Sequence, residues 1–286
     1  MDIHHSPRMR RIVHVSDIHF GRADLGLIER LLPSMLALKP DLIIISGDLT
    51  QRASRKEFLQ ARAFIERISA SSIPLFIIPG NHDIEPHHRP IPRLLDPYRA
   101  YRNHFSAETE PTYNDGEIAI ASIDTVRGTT IEHGRVNIKR AAEIANRFAA
   151  VPDTLTKIIV THHPLALPKR STMRGRLKMK RVATNAGRAV YLLSEGKVDL
   201  YLSGHHHRST TSKTNERHPK KHFSGIAVQA GTVSARSRGE MPSFNVLHLD
   251  KPHLSIEVRK WNPEHAIFEP TEKTSYELRN GSWSQI

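Results

Sequence analysis

Over roughly its first two hundred residues the chain repeats one theme: a short β-branched run closes in a polar loop holding glycine or histidine, and an amphipathic stretch of helical period follows. The runs at 11–16, 42–46, 75–78, 118–123, 157–161 and 200–203 read as strands, several of them apolar enough to be buried on both faces. Helices are predicted over 25–38, 54–69, 137–148 and 185–193. This alternation is the βαβ pattern of an α/β fold. Past Gly204 it changes, because 226–230, 245–249 and 254–258 are strand-like with no helical stretch between them, which predicts a second sheet packed on the first. Two segments read as irregular, the Pro- and His-rich stretch 86–97 and the basic stretch 169–181. No repeat, low-complexity tract or long linker divides the chain, so a single domain over 1–286 is expected, with 1–10 as a flexible N-terminus and 262–286 as a peripheral tail that finishes the second sheet or lies along the surface.

Composition narrows the chemistry. The absence of cysteine removes disulfides, thiolate nucleophiles and thiolate metal sites, leaving any metal to His, Asp, Glu or Asn. With 42 Lys and Arg against 29 Asp and Glu, the net charge of +13 points to an anionic partner, whether phosphate substrate, nucleic acid or acidic membrane surface. The N-terminal residues lack the apolar core of a signal peptide, and runs such as 42–45 are far too short to span a bilayer. A cytoplasmic protein, able to rest against an anionic membrane, is the expectation.

The potential ligands are informative through their placement. Asp17 and His19, Asp48, Asn81 with His82, His162, and His205 with His207 each follow a predicted strand at its C-terminal end, the edge where open α/β sheets bind ligands. Taken singly, each has an ordinary explanation. Asp17 reads equally as a helix cap, and Asp48 after Gly47 as a turn residue. Gly80-Asn81-His82-Asp83 would pass as a turn, although it follows a buried strand, and Pro164 would fix the turn that presents His162. On an extended segment Asp17 and His19 would reach a common ion, and His205 and His207 would lie on one side to serve neighbouring ions. Together these positions supply only hard or borderline oxygen and nitrogen ligands, suited to Mn, Fe, Zn, Co or Ni.

The ordered set Asp-x-His, Gly-Asp, Gly-Asn-His-Asp, His-x-Pro and Gly-His-x-His closely resembles the calcineurin-like metallophosphoesterase family, and Val15-Ser16-Asp17-Ile18-His19 with Gly47-Asp48-Leu49-Thr50 is similar to its compact bacterial, cyclic-nucleotide-type phosphodiesterases. The resemblance spans 11–207 and implies a four-layer αββα sandwich of two mixed β-sheets flanked by helices. It implies two di- or trivalent metal ions (Mn, Fe, Zn or Co), one held by Asp17, His19 and His207, the other by Asn81, His162 and His205, with Asp48 bridging. His82 matches the family's phosphate-contacting histidine that helps the leaving group depart, with Asp83 as its orienting partner.

A metal-dependent hydrolase of phosphoric esters is the expected function. Two ions roughly 3.5 to 4 Å apart would activate a water for in-line attack on phosphorus and neutralise the phosphate oxygens. A small anionic phosphodiester is the expected substrate, bound at Asn81 and His82 and gripped by Arg170 and Arg174 from 169–181, a stretch that reads equally as a lid and as a solvated loop. The rival readings are a nucleotide-lipid pyrophosphatase of the UDP-diacylglucosamine type at the membrane surface, and a nucleic-acid-binding protein with a regulatory metal site. His14 reads as structural, and His87 and His88 as a polar loop between prolines, outside the site.

Overall fold

The computed structural model describes residues 9–130, 132–168, 182–218, 223–234 and 239–286. In chain order the elements are β1 (Arg10–Val15), α1 (Leu25–Ala37), β2 (Leu42–Ile45), α2 (Arg55–Ser69), β3 (Leu75–Ile77), α3 (Pro90–Leu95), α4 (Arg99–His104), β4 (Thr112–Asn114), β5 (Ile118–Ser122) and α5 (Ile138–Ala149). They continue with β6 (Thr156–Val160), α6 (Ala186–Glu195), β7 (Leu200–Ser203), β8 (Thr210–Lys213), α7 (Thr214–Arg217), β9 (Ile226–Gln229), β10 (Ser243–Asp250), β11 (His253–Asn262), β12 (Ile267–Arg279) and β13 (Ser282–Gln285).

Two mixed sheets form. The first runs β13-β12-β11-β10-β1-β2-β3, parallel from β1 to β3 and antiparallel from β1 out to β13; the second runs β4-β5-β6-β7-β9-β8, parallel from β5 through β6 and β7 to β9. Because successive strand side chains point to opposite faces, each central strand feeds two cores. Ile12, Leu42 and Ile44 point between the sheets against Ile120, Ile158, Val160 and Leu202. Their neighbours Val13, Ile43 and Ile45 face outward onto Leu31, Met35, Phe64 and Ile68 of α1 and α2. On the far side, Ala121, Ile159 and Tyr201 meet Ile144, Phe148, Ala189 and Leu193 of α5 and α6. Three apolar layers between four layers of elements make the expected αββα sandwich.

Local signals place the helices. Asp24 caps α1 through Gly26 and Leu27 N–H, Asn137 caps α5, and Ser54 with Glu57 closes a capping box on α2, which satisfies first-turn donors that would otherwise lack partners. The stretch 86–97, expected to be irregular, contains α3, whose Pro90 needs no N–H partner at a helix start.

The C-terminal third corrects the expectation of a separate second sheet. β9 joins β7 in parallel, whereas β10 to β13 extend the first sheet, because β1 is paired to β2 on one edge and its other edge accepts β10 antiparallel, Arg10 opposite Leu249. Residues 262–286, expected as a peripheral tail, form most of this extension, and Trp283 is buried between the sheets with Leu254, Ile256 and Tyr276. The basic stretch 169–181, with Arg170 and Arg174, lies outside the described residues.

Candidate metal centre

Strands β1, β2 and β3 of one sheet and β6 and β7 of the other end on a common edge, and the loops leaving them bring the predicted residues together. Asp17 and His19 follow β1, Asp48 follows β2, Asn81 and His82 follow β3, His162 follows β6, and His205 and His207 follow β7. The extended geometry expected for the Asp-x-His and His-x-His pairs is not what is found. Asp17, His19, Asp48, His205 and His207 all adopt positive φ, between 51° and 74°. Tight left-handed turns, a conformation that costs free energy in non-glycine residues, turn these side chains inward. Glycines admit the close approach: Gly47 has φ +96°, and a Cβ there would lie 2.7 Å from His162 Nδ1 and 2.8 Å from Gly80 Cα.

Two groups of donor atoms result. In the first, Asp17, His19, Asp48 and His207 are all buried and offer ligand atoms within 4.8 Å of one another. His207 Nε2 lies 3.1 Å from both Asp17 Oδ1 and His19 Nε2. His19 Nδ1 donates to the Thr50 carbonyl at 3.2 Å, which turns the Nε2 lone pair toward the cluster. In the second, Asn81 Oδ1 lies 3.0 Å from both His162 Nε2 and His205 Nδ1, and His162 Nδ1 donates to the Ser46 carbonyl at 2.9 Å. Asp48 Oδ2 stands between the groups, 3.7 Å from His19 Nε2 and 3.3 Å from His162 Nε2. The other oxygen, Oδ1, accepts the His82 N–H at 2.8 Å.

Supporting bonds tie the loops at this edge to one another. The His205 N–H donates to Asp17 Oδ2 at 2.8 Å, Gln229 Nε2 to the Gly204 carbonyl at 2.7 Å, and Thr232 Oγ1 to the Asp17 carbonyl at 2.6 Å. Asp83 corrects an expectation. Rather than orienting His82, its carboxylate accepts from the N–H groups of Gly80, Leu49 and Thr50 and from Thr50 Oγ1, clasping the loops after β2 and β3. His82 is oriented by the Gln51 carbonyl, which accepts from Nδ1 at 2.7 Å. Its ring meets that of His19 edge-on at 4.9 Å.

The electrostatics are those of a cation site. Burial alone would push Asp17 and Asp48 upward, but the imidazoles of His207 and His19 around the first, and of His162 and His82 around the second, hold both carboxyls well below the usual range. Burial opposes protonation of His162, yet the Asp48 carboxylate raises it to about 9. Burial and the neighbouring His162 push His205 well down. Burial and the Asp48 charge raise Asp83. A largely buried set of ionised carboxylates, an amide oxygen and imidazoles, two of them held by backbone carbonyls, fits a resident metal ion in its donor types.

His163 and, of the cleft lining, Gln51, Arg52 and Arg93 were missed in the sequence. His163 is buried, its Nδ1 2.9 Å from Thr125 Oγ1 and its ring centroid 4.3 Å from that of His205, so its ligand nitrogen falls within 4.8 Å of those of His162 and His205. The doublet His162-His163 was the available signal, but the His-x-Pro motif singles out His162 alone. Beyond His82 opens a cleft of about 360 Å³ whose lining includes His87 and His88, both set aside from the site on sequence grounds. His14 is structural as read: it is buried, with Nε2 2.9 Å from Ser46 Oγ, and burial pushes it down to about 3.

Comparisons with known proteins bear on the family and the fold. A probable glycerophosphodiester phosphodiesterase, GpdQ, of Arcobacter nitrofigilis is 25% identical over 280 residues, 93% of this chain and 92% of that one. The 3',5'-cyclic adenosine monophosphate phosphodiesterase CpdA of Vibrio vulnificus is 23% identical over 169 residues, 54% of this chain and 56% of its own length. Among solved structures, purple acid phosphatase PPD1 from yellow lupin, Lupinus luteus, shares the fold with a TM-score of 0.66 at 16% identity; the match covers 94% of this chain and 53% of that one, so this chain spans about half of it. The description of calcineurin-like phosphoesterases matches residues 10–209, which contain every residue of the donor cluster, and the chain belongs to that family of metal-dependent hydrolases of phosphoester bonds.

Proposed function

We propose that the protein is a phosphodiesterase that holds two metal ions, drawn from Mn, Fe, Zn and Co, with Asp17, His19 and His207 on one, Asn81, His162 and His205 on the other, and Asp48 shared. The observation that carries this reading is the position of Asp48 Oδ2, within 3.7 Å of a ligand nitrogen from each donor group. Support for a diester comes from the names of two relatives, one a glycerophosphodiester and the other a cyclic-nucleotide phosphodiesterase.

When bound, such ions supply an activated water and offset the charge that builds on the phosphoryl oxygens. The chain's own residues do the rest. The Thr50 and Ser46 carbonyls hold His19 and His162 in the tautomer that presents Nε2, and Asp83 fixes the two loops that carry Asp48 and Asn81. As the oxygen of water bonds to phosphorus and one ester P–O bond breaks, the leaving alcohol takes up a proton. His82 Nε2 meets that departing oxygen, since Nδ1 is engaged by the Gln51 carbonyl, and its ring lies on the cleft side of the cluster. The products are a phosphomonoester and an alcohol.

The test is hydrolysis of a generic aryl phosphodiester and its monoester by the manganese-loaded protein, with Asp48→Asn as the control. Metal-dependent diester turnover is expected, falling roughly ten-thousandfold in the variant, the scale of loss when a carboxylate that orders a site becomes an amide. No turnover of either ester by protein that binds metal would overturn the proposal.

A further inference from the structure

The cleft beside His82 has a composition that the hydrolysis itself does not require. It begins at Asn81 and His82, so it opens from the metal donors where the leaving group departs, and its volume of about 360 Å³ is within the range of small-molecule sites. Ile84 and Pro86 give it an apolar surface, and Gln51, Arg52, His87, His88 and Arg93 complete the wall with no carboxylate among them.

The neighbouring acids are spent elsewhere. Glu85 is buried and pairs with Arg89 at 3.1 Å and Arg99 at 3.8 Å. Asp83 is occupied by four donors of the loop backbone and Thr50. Arg93, itself buried, donates to the carbonyls of Gly128 and Thr130 at 2.8 Å and to that of Glu85, so its charge is fixed in the wall without a carboxylate partner among the described residues. The Arg52 guanidinium likewise has no acidic partner among them, although its backbone N–H is held by Glu57 at 2.8 Å, which sets the residue at the rim. Two guanidinium groups with no acidic partner among the described residues, one of them buried, raise the positive potential on one side of the reaction centre, next to an apolar floor and two further hydrogen-bonding imidazoles.

We infer that this cleft is the leaving-group subsite and that it selects phosphodiesters whose departing alcohol carries a second anionic group, a phosphate or a carboxylate, over those whose departing alcohol is neutral. The inference rests on the phosphodiesterase reading and names its substrate class. The apolar surface of Ile84 and Pro86 receives the body of the alcohol, and Arg52, with His87 and His88, meets its anionic end.

The experiment uses three methyl aryl phosphates with the manganese-loaded full chain: a neutral 4-acetylphenyl arm, a 4-carboxyphenyl arm and a 4-(phosphonomethyl)phenyl arm. The quantity read is the ratio of kcat/KM for each anionic arm to that for the neutral arm. Within the ratio, differences in intrinsic leaving-group reactivity cancel between wild type and variant. Arg52→Gln is expected to lower the ratio about tenfold, the size of one charge-assisted hydrogen bond, and His87→Asn with His88→Asn by a few-fold, about that of neutral ones. Arg30→Gln, on the exposed face of α1, is the control for loss of positive charge in general and leaves the ratio unchanged. The larger drop identifies the source, falling on the phosphonate arm for a phosphate-bearing alcohol and on the carboxylate arm for an acid. Turnover of the neutral diester with a ratio that none of these variants moves would overturn the inference and leave the phosphodiesterase reading standing; turnover of none of the three would overturn both.

Discussion

The first sheet is built from two halves that do different work. From β1 to β3 its strands are parallel, so their C-terminal ends fall on one edge, and the loops there contribute Asp17, His19, Asp48, Asn81 and His82. From β10 to β13 the strands are antiparallel, their turns alternate between the two edges, and they contribute no donor to the cluster. The parallel half carries strain at the site, with positive φ at Asp17, His19 and Asp48. The antiparallel half carries burial, with Leu247, Leu249, Leu254, Ile256, Tyr276 and Trp283 filling the space between the sheets. Convergent chemistry belongs where strand direction is shared, and the alternating ribbon supplies the core against which those loops are held.

That division can be broken from either side. The largest effect on folding is expected in the ribbon. Trp283→Ala removes a buried ring and the bond from its Nε1 to Asp199 Oδ1 at 3.1 Å, and should lower unfolding free energy by about 3 to 5 kcal/mol in a denaturant titration, with kcat/KM of the folded fraction nearly unchanged. A matching loss of turnover per folded chain would show that the halves are not separable. Asp83→Asn should do the reverse. An amide cannot accept from all four donors, so roughly 1 to 3 kcal/mol of stability is lost while turnover drops about ten- to hundredfold, because the loops bearing Asp48 and Asn81 lose their clasp. Turnover equal to wild type would remove Asp83 from the supporting shell.

The effect that is absent at neutral pH, and grows only on acidification, concerns His14. Its folded value of about 3 lies below the ordinary 6.5, so the unfolded chain takes up a proton that the folded one refuses. The contribution of His14 is therefore fully present above pH 6.5 and is lost as the pH falls from there toward 3, by about 1.4 kcal/mol per pH unit. Ring nitrogen resonances of His14 should remain those of neutral imidazole at pH 5. A protonated ring in the folded protein at that pH would contradict the assignment.

Much of the parallel strand set of both sheets was legible in the sequence. The stretches 42–45 and 158–160 are apolar throughout because both their faces are buried, and the capping residues Asn137 and Ser54 mark the helices that cover them. The donor residues were legible through their position after each strand. Their conformation was not, since spacing alone does not separate an extended Asp-x-His from one folded back through two left-handed residues, and only packing against the neighbouring loops selects the second. The antiparallel ribbon was read as a separate sheet because which open edge a strand pairs with is decided by tertiary contact, here the free edge of β1. Asp83 and His87 show the same limit from the side chains: the resemblance paired Asp83 with His82 and a loop between prolines set His87 aside, whereas Asp83 accepts from Gly80, Leu49 and Thr50 and His87 lines the cleft beside His82.

The most direct test of the shared Asp48 is the number of manganese ions retained per chain after gel filtration, measured by elemental analysis on wild type and Asp48→Asn alongside diester turnover. The account predicts two ions per wild-type chain, with the variant retaining at most one and losing turnover. A single ion per fully active wild-type chain, or undiminished turnover by Asp48→Asn, would contradict it.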